Sequence, residues 1–339
     1  MIENSDSLVA TFLTKEMYES LKDKKTSNGV TIDNIINSAI KNLDSSIGAY
    51  AGDAESYKLF APLFDKIIHE YHHFSQTDMH KSDFNPQHLE VKKLDEDGKY
   101  ILSTRIRVGR NFAEYPLGTA ISKEQRDEIE QRVSRVLLSF EDSLKGKYFP
   151  LTTLSDEERQ TLIKEHFLFK EGDRFLEAAG LNRNWPEGRG IFHNDEKTFL
   201  VWINEEDQLR IISMQQDGDI KEVFTRLSQA VGKIEQEIAF AYDEHLGYIT
   251  SCPTNLGTAM RASVHIKLPN LANDMKTFEQ IANEYHLQIR GTDGEHSESK
   301  SGVYDLSNKR RLGVSEVECV QDMYDGVVAL IEKEQSLEL

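Results

Sequence analysis

The order of strand-like and helix-like segments constrains the fold of this chain more than any other feature. Two short apolar runs, 199–204 and 209–214, have the pattern of buried strands, and only four polar residues separate them. Two more runs, 101–108 and 261–268, alternate with the period of two that is typical of half-buried strands. Helical patterns do not intervene in the regular way that βαβ units require. The sequence therefore predicts an α+β fold in which helices flank a mainly antiparallel sheet.

The N-terminal part of the chain has a different pattern. Apolar residues recur every three or four positions through 14–74, which predicts helices. The chain then becomes polar and reaches an acidic run at 95–97, a composition typical of a linker. We predict three parts in chain order: an all-helical N-terminal domain over 1–80, a linker over 81–98 and a larger domain over 99–339.

Charge and cysteine usage exclude several classes of function. The formal net charge of −18 argues against nucleic acid or an anionic membrane as the main partner. No apolar run approaches a membrane span, and the first ten residues lack the basic and apolar pattern of a secretion signal. Two cysteines, Cys252 and Cys319, cannot form a disulfide framework, and no Cys/His spacing suggests structural zinc. We therefore expect a cytoplasmic protein.

Arginine recurs on the strands and strand ends of this acidic chain. Arg105 and Arg107 fall on one face of the 101–108 strand, where they repel each other unless an anion lies between them. Guanidinium groups match phosphate oxygens in pairs, so arginines that converge on one cleft would hold a polyphosphate. Pairing with the abundant surface carboxylates is the alternative, and strand position alone leaves it open. The arginines concerned are Arg105, Arg107, Arg210, Arg261 and Arg290.

Three further side chains could act beside such an anion. Glu206 precedes Arg210 by four residues and Glu295 follows Arg290 by five, and a carboxylate pair suits a cationic acceptor that must be aligned and deprotonated. Cys252 lies near Arg261, whose charge would lower the pKa of the thiol, although a buried, inert cysteine is the usual alternative. The chain has no GxxxxGK[ST] phosphate loop. Any nucleotide would therefore be held by arginine side chains.

A loop of small residues at 44–50 separates two of the predicted helices. Its backbone amides could cradle an anion, and a plain connection between helices is the alternative.

At this point a family resemblance becomes specific. The segment Cys252–Thr258, followed by Arg261, resembles the signature of the phosphagen (guanidino) kinases. Further segments match that family in order and spacing: Ser103–Arg107, Gly188–Asn194, Asn204–Asp207 with Arg210, Arg290–His296 and Tyr304–Gly313. The similarity extends from about residue 12 to the C-terminus. Glu295 and the short 44–50 loop make the chain look most like the members that phosphorylate free arginine.

The resemblance implies an activity and its ligands. The activity is reversible transfer of the γ-phosphoryl group of ATP to the guanidino group of free L-arginine, which buffers ATP. ATP or ADP would bind with Mg2+, and the ion would be held by phosphate oxygens and water, with Glu205 as an outer-shell partner and no direct protein ligand. The oligomeric state stays open, with a monomer favoured over a homodimer.

The resemblance also implies roles for individual residues. Those implied to bind the nucleotide and its phosphates are Ser103, Arg105, Arg107, His166, Arg210, Arg261, Arg290 and Asp305. Those implied to hold the acceptor guanidinium are Glu206, Glu295 and Cys252. The implied binding loop for the acceptor carboxylate comprises Ser45, Ser46, Ile47, Gly48 and Ala49, with Tyr50 lining the pocket. Asp44 would pair with Arg174 across the domains.

Three alternatives compete with this interpretation. The same chemistry could serve another small guanidino acceptor, such as taurocyamine. A protein-arginine kinase would share the catalytic core, but such enzymes lack the N-terminal helical domain and loop predicted here. A non-catalytic sensor of nucleotides or guanidino compounds would not need the complete set of arginines and carboxylates.

Overall fold

The computed structural model describes residues 4–291 and 302–338. The N-terminal part is all-helical, as predicted, and its helices are α1 (Leu8–Phe12), α2 (Lys15–Leu21), α3 (Ile32–Lys41), α4 (Ala54–Leu59) and α5 (Ala61–His72). The later helices are α6 (Lys123–Leu138), α7 (Asp156–Lys164), α8 (Arg174–Ala178), α9 (Ile220–Glu235), α10 (Met275–Glu284) and α11 (Glu316–Ser336). None of the helices in the described ranges is long and apolar enough to cross a membrane.

The larger part is built on an eight-stranded sheet in which every neighbouring pair is antiparallel. Its strands are β1 (Ile101–Arg110), β2 (Gly146–Pro150), β3 (Gly190–Asn194), β4 (Phe199–Ile203), β5 (Leu209–Gln215), β8 (Met260–Lys267), β9 (Leu287–Gly291) and β10 (Val303–Asn308). They lie in the order β2-β3-β4-β5-β1-β8-β10-β9, while β6 (Tyr242–Asp243) and β7 (Gly247–Tyr248) form a separate ribbon. The predicted α+β class with an antiparallel sheet is confirmed.

Alternation along the central strands decides which face of the sheet is apolar. Ile106 and Val108 on β1 and Val264 on β8 are buried in one core with the apolar stripes of α9 and α11. The intervening residues of both strands must then point to the opposite face. Because helices cover one face, the polar residues of the central strands gather on the other.

Capping boxes begin three of the helices in the larger part. The side chains of Ser122, Ser155 and Ser315 each accept a hydrogen bond from the backbone amide three residues later, and the backbone amide of each serine donates to the side-chain oxygen of that same residue. These capping boxes satisfy amide groups that a helix N-terminus otherwise leaves unpaired, so the starts of α6, α7 and α11 were predictable.

The helical part is anchored beside the turn that precedes β8. The Ala51 amide donates to the Ser251 carbonyl at 2.7 Å, and the Tyr57 hydroxyl donates to the Thr250 carbonyl at 2.8 Å. The polar segment after α5 also packs inward, because Leu89 and Leu94 are buried in the core of the larger part. The boundaries at 80 and 98 stay predictions.

Candidate active site

Strand register brings two predicted arginines face to face at the centre of the sheet. Arg107 on β1 lies directly opposite Arg261 on β8, and Arg105 lies opposite Ser263. Directly opposed residues of antiparallel strands project from the same face. All three arginines therefore occupy the face opposite the core formed with α9 and α11.

The other two arginines reach the same face through the neighbouring strands. Arg210 on β5 lies opposite Gly109 of β1, two residues from Arg107. A Cβ atom on Gly109 would lie 3.1 Å from Asp207 Oδ2, so the missing side chain leaves room beside the guanidinium groups. On the far side, Arg290 of β9 lies opposite Asp305 of β10. The register thus collects all five predicted arginines on one surface.

Two of the arginines have no ion-pair partner among the described residues. Within the described ranges, Arg105 and Arg107 make neither a hydrogen bond nor an ion pair through their guanidinium groups. Burial, with the charges of Arg261 and Arg210, lowers the pKa of Arg105 to about 9. Burial, Arg210 and Arg105 hold the pKa of Arg107 well below its usual value. Buried, crowded cations without an ion-pair partner are the electrostatic signature of an anion site.

The remaining predicted nucleotide residues lie along the outer end of this row. Ser103 is opposite His265 on β8, and His265 is opposite Asp305 on β10. Arg261 Nη2 donates to Asp305 Oδ2 at 2.7 Å. His166, which follows α7 in a left-handed conformation, is close enough for its charge to contribute to the lowered pKa of His265, which burial dominates.

At the inner end of the row, the tight connection between β4 and β5 carries the acidic residues. Arg210 pairs with Glu205 at 2.9 Å and with Glu206 at 3.2 Å. Burial raises the pKa of Glu206 to about 7, and the charge of Asp207 adds to the shift while that of Arg210 opposes it. Glu206 is therefore a carboxylate poised to titrate near neutrality.

Cys252 lies beside Glu206, but its ionisation differs from the expectation. Its sulfur is 3.1 Å from Thr254 Oγ1. Burial, reinforced by the charge of Glu206, raises the pKa of Cys252 to about 12. The predicted lowering by nearby arginines is wrong for this structure, because the thiol is buried and has a carboxylate as its strongest charged neighbour.

The 44–50 loop is held in place by hydrogen bonds to its carbonyl groups. Those of Ser46, Ile47 and Gly48 accept hydrogen bonds from Leu8, Val9 and Ala39 at 3.0, 3.2 and 3.3 Å, respectively. Between described residues, no hydrogen bond uses the N–H groups of residues 46–49. The Ser45 amide differs from its neighbours, because it already donates to the Asn42 carbonyl at 3.0 Å. Four consecutive amides are thus available to an anion.

Contacts across the two parts hold this loop over the acidic end of the site. Arg174 on α8 forms the predicted ion pair with Asp44, and it also donates to Asn42 Oδ1 at 3.1 Å. The loop ends next to the segment that carries Cys252, because the Ala51 amide donates to the Ser251 carbonyl at 2.7 Å. Burial, with smaller effects from the charges of Cys252 and Glu206, raises the pKa of the Tyr50 hydroxyl.

Two residues without a predicted role also belong to the site. Arg311 lines the small cavity between Arg107, Arg210 and Arg261, and it donates to the Thr254 carbonyl at 3.0 Å. Asn255 Nδ2 approaches Glu206 Oε1 at 3.4 Å. Both residues fall in segments that carried the family resemblance, which is the signal that could have singled them out. Glu295, the second predicted acceptor carboxylate, lies outside the described residues.

The chain is similar to known proteins over almost its entire length. Residues 128–337 match the family profile described as "ATP:guanido phosphotransferase, C-terminal catalytic domain", and residues 3–69 match that of the N-terminal domain. Arginine kinase Lit v 2 of Penaeus vannamei is 54% identical over 98% of this chain and 93% of its own length. Arginine kinase of Anthopleura japonica is 55% identical over 98% of this chain, which spans 47% of that longer protein.

Solved structures show the same similarity. Lombricine kinase superposes with a TM-score of 0.94 at 40% identity, covering 100% of this chain and 94% of that one. The duplicated taurocyamine kinase of Schistosoma mansoni, solved with bound transition-state analogue components, superposes with a TM-score of 0.92 at 41% identity. The match covers 98% of this chain and 47% of that one, so this chain corresponds to about half of the duplicated enzyme.

Proposed function

Because this chain belongs to the ATP:guanido phosphotransferase family, we propose that it reversibly transfers the γ-phosphoryl group of ATP to the guanidino group of free L-arginine. The observation that carries the proposal is the shared face of the sheet. There the arginines form a row. The residues proposed to bind the nucleoside lie at one end of this row, and Glu206, Cys252 and the 44–50 loop lie at the other.

The row has the polarity that phosphoryl transfer needs. Asp305, Ser103 and His166 take the nucleoside end, and the arginines take the phosphates. Asp305 joins the two groups, because its Oδ2 atom lies 2.7 Å from Arg261 Nη2 and 4.0 Å from His265 Nε2. Phosphoryl transfer leaves little covalent work to the protein, so catalysis consists of in-line positioning and stabilisation of charge.

The acceptor end aligns a cation and removes a proton from it. Glu206 holds the guanidinium, and its pKa of about 7 suits a group that takes up a proton during transfer. Glu295 is proposed as the second carboxylate on the strength of the sequence. Cys252, which is protonated at neutral pH in this structure, aligns the acceptor as a hydrogen-bonding group and is not a covalent nucleophile. The free amides of 46–49 take the acceptor carboxylate.

We propose that Mg2+ enters with ATP as part of the substrate. In the described part of the chain, no group of three histidine, cysteine or acidic residues is arranged to hold a metal ion. Glu205 is committed to Arg210 at 2.9 Å and borders the phosphate row, which supports an outer-shell role through water. The ion neutralises phosphate charge while the arginines hold the same oxygens.

Arginine is the proposed acceptor because the relatives above 50% identity are arginine kinases. Another small guanidino compound is the second candidate, favoured by the lombricine and taurocyamine kinases among the structural neighbours. Cys252 and Cys319 are buried and unpaired, which supports a reducing, cytoplasmic setting.

A coupled ADP-release assay tests the proposal. MgATP is supplied with L-arginine, taurocyamine, lombricine, creatine or an arginine-containing peptide in separate reactions. We expect turnover with L-arginine to exceed that with every other acceptor. Turnover with another acceptor and none with L-arginine would refute the assigned substrate, and no turnover with any acceptor would refute the proposed activity.

A further inference from the structure

A buried ion pair lies next to the phosphate-binding face, outside the residues assigned so far. Arg110 is the last residue of β1 and Glu316 the first of α11, and both side chains are 0% exposed. Arg110 Nη2 and Glu316 Oε1 are 3.8 Å apart, so charge rather than a direct hydrogen bond joins them. Burying two charges costs free energy, so the pair is expected to have a role in the contacts that each partner makes.

Arg110 holds the ends of the two strands that carry the central arginines. Its Nη1 atom donates to the carbonyl of Gly109 at 2.8 Å and to that of Thr258 at 3.0 Å. These carbonyls flank the point where the Gly109 amide donates to Ala259 at 3.0 Å and the two strands begin to pair. The guanidinium also lies over the Tyr248 ring, 3.4 Å from its centroid, which fixes the plane of the group. On the site face of the same two strands, the next opposed residues with side chains are Arg107 and Arg261. The contacts of Arg110 therefore fix the strand ends beside these two arginines.

Glu316 holds the other side of Arg110 to the segment that precedes β1. Its Oε2 atom accepts from the Ser82 hydroxyl at 3.1 Å and from the Asp83 amide at 3.0 Å. Its Oε1 atom has no hydrogen-bond partner within the described ranges, and neither has Arg110 Nη2, the atom that faces it. One carboxylate oxygen therefore anchors the pair to the chain, and the other attracts Arg110.

We propose that Arg110, held by Glu316, is a positioning residue for the phosphate-binding pair Arg107 and Arg261. The inference rests on the proposed function, because it assigns the effect of Arg110 to binding of MgATP. Lysine cannot replace Arg110, since a single ammonium group does not lie flat on Tyr248 while it donates to two carbonyls. Glutamine at 316 keeps the size and the Ser82 and Asp83 contacts but loses the charge that attracts Arg110.

The variants Arg110→Lys, Glu316→Gln and their combination test the proposal by steady-state kinetics. If Arg107 and Arg261 are displaced, KM for MgATP should rise by about tenfold in Arg110→Lys and by about threefold in Glu316→Gln. KM for L-arginine should change by less than about twofold in both variants. Loss of folded enzyme alone would lower kcat and leave both KM values unchanged. The double variant should be no worse than Arg110→Lys, because both substitutions disable one device.

Glu334→Gln provides a matched control. Glu334 is an equally buried carboxylate on the same helix as Glu316. Its oxygens accept from the Asn270 and Leu271 amides at 2.8 Å and make no contact with Arg110. We expect it to lower the melting temperature and to leave KM for MgATP at the wild-type value.

The outcomes separate this inference from the proposed function. Wild-type KM for MgATP in both single variants, or effects that multiply in the double variant, would overturn the positioning role. If Arg110→Lys does not fold, Glu316→Gln decides alone. If the wild-type enzyme turns over no acceptor, the proposed function fails, and the positioning role is then judged by calorimetric Kd values for MgADP in the same variants.

Discussion

Glu206→Gln is the substitution that most directly tests the acceptor end of the site. Glutamine keeps the volume of the side chain and one acceptor oxygen but removes the charge that would face the acceptor guanidinium. Arg210 keeps its 2.9 Å partner Glu205, so the phosphate side of the site loses little. The loss therefore falls on alignment of the acceptor and on uptake of its proton.

The size of the effect follows from the contacts that are lost. A charge-assisted hydrogen bond contributes about 1.5–3 kcal/mol, and proton transfer to a positioned base contributes about 100-fold or more. Since about 1.4 kcal/mol corresponds to a factor of ten in rate, we expect kcat to fall by at least about 100-fold. The coupled ADP-release assay measures this directly with saturating MgATP and L-arginine.

Glu205→Gln is the matched control for this experiment. It removes the neighbouring charge, which also pairs with Arg210, yet it leaves the proposed acceptor contact intact. We expect a decrease in kcat of less than about tenfold. If Glu206→Gln retains more than about a tenth of wild-type kcat, or if Glu205→Gln is the more damaging variant, the role assigned to Glu206 is refuted.

Three further predictions concern pH, charge and loop geometry. Because burial raises the pKa of Glu206 to about 7 and the acceptor needs the charged form, kcat/KM for L-arginine should rise between about pH 6 and pH 8; a flat profile would contradict this role. Arg107→Met relieves crowding between cations, so it should raise the free energy of unfolding by about 1 kcal/mol while lowering kcat/KM by at least about 100-fold, and a destabilised variant would contradict the assumed repulsion. Gly48→Ala should destabilise the protein by about 1–3 kcal/mol in urea unfolding, because φ is 80° and the new Cβ would lie 2.5 Å from that of Ala39. In the control Gly29→Ala, φ is 79° and no atom lies within 4 Å of the new Cβ, so its loss of stability measures backbone strain without steric contact.

The sequence predicted which residues share a face of a strand, but not which strands are neighbours. Alternation alone placed Arg105 and Arg107 on one side of β1. That Arg107 faces Arg261 depends on pairing between segments far apart in the chain, and a slip of one residue would have sent either side chain into the core. The family resemblance supplied this long-range information, which periodicity does not contain.

Burial was the quantity that sequence reasoning estimated least well. The polar composition of 81–98 suggested a linker, yet Leu89 and Leu94 are buried in the core of the larger part. Arg110 follows the alternating part of β1, and the sequence predicted no role for it, although it is completely buried against Tyr248. Isolated apolar residues in a polar segment and a single buried cation leave no periodic trace, because their partners come from distant parts of the chain.

Cys252 shows why proximity of charges is not enough to predict ionisation. The sequence placed the thiol near Arg261, and a nearby cation alone would lower its pKa. In the structure Arg261 is paired with Asp305, so its charge is already balanced, while Glu206 lies beside the sulfur. Burial and the charge of Glu206 outweigh the lowering by hydrogen bonds with Thr254, and they raise the pKa of Cys252 to about 12.

The same balance of charge distinguishes the arginines from one another. Arg210 is compensated by Glu205 and Glu206, and Arg261 by Asp305. Arg105 and Arg107, between these pairs in the sheet, have no such partner among described residues, so the unbalanced positive charge is concentrated at the centre of the row. A bound anion gains most energy where repulsion is relieved, and a transferring phosphoryl group spreads its charge over three equatorial oxygens that several guanidinium groups can contact at once. We therefore propose that the transferred group binds at this centre, between the proposed nucleotide end and Glu206.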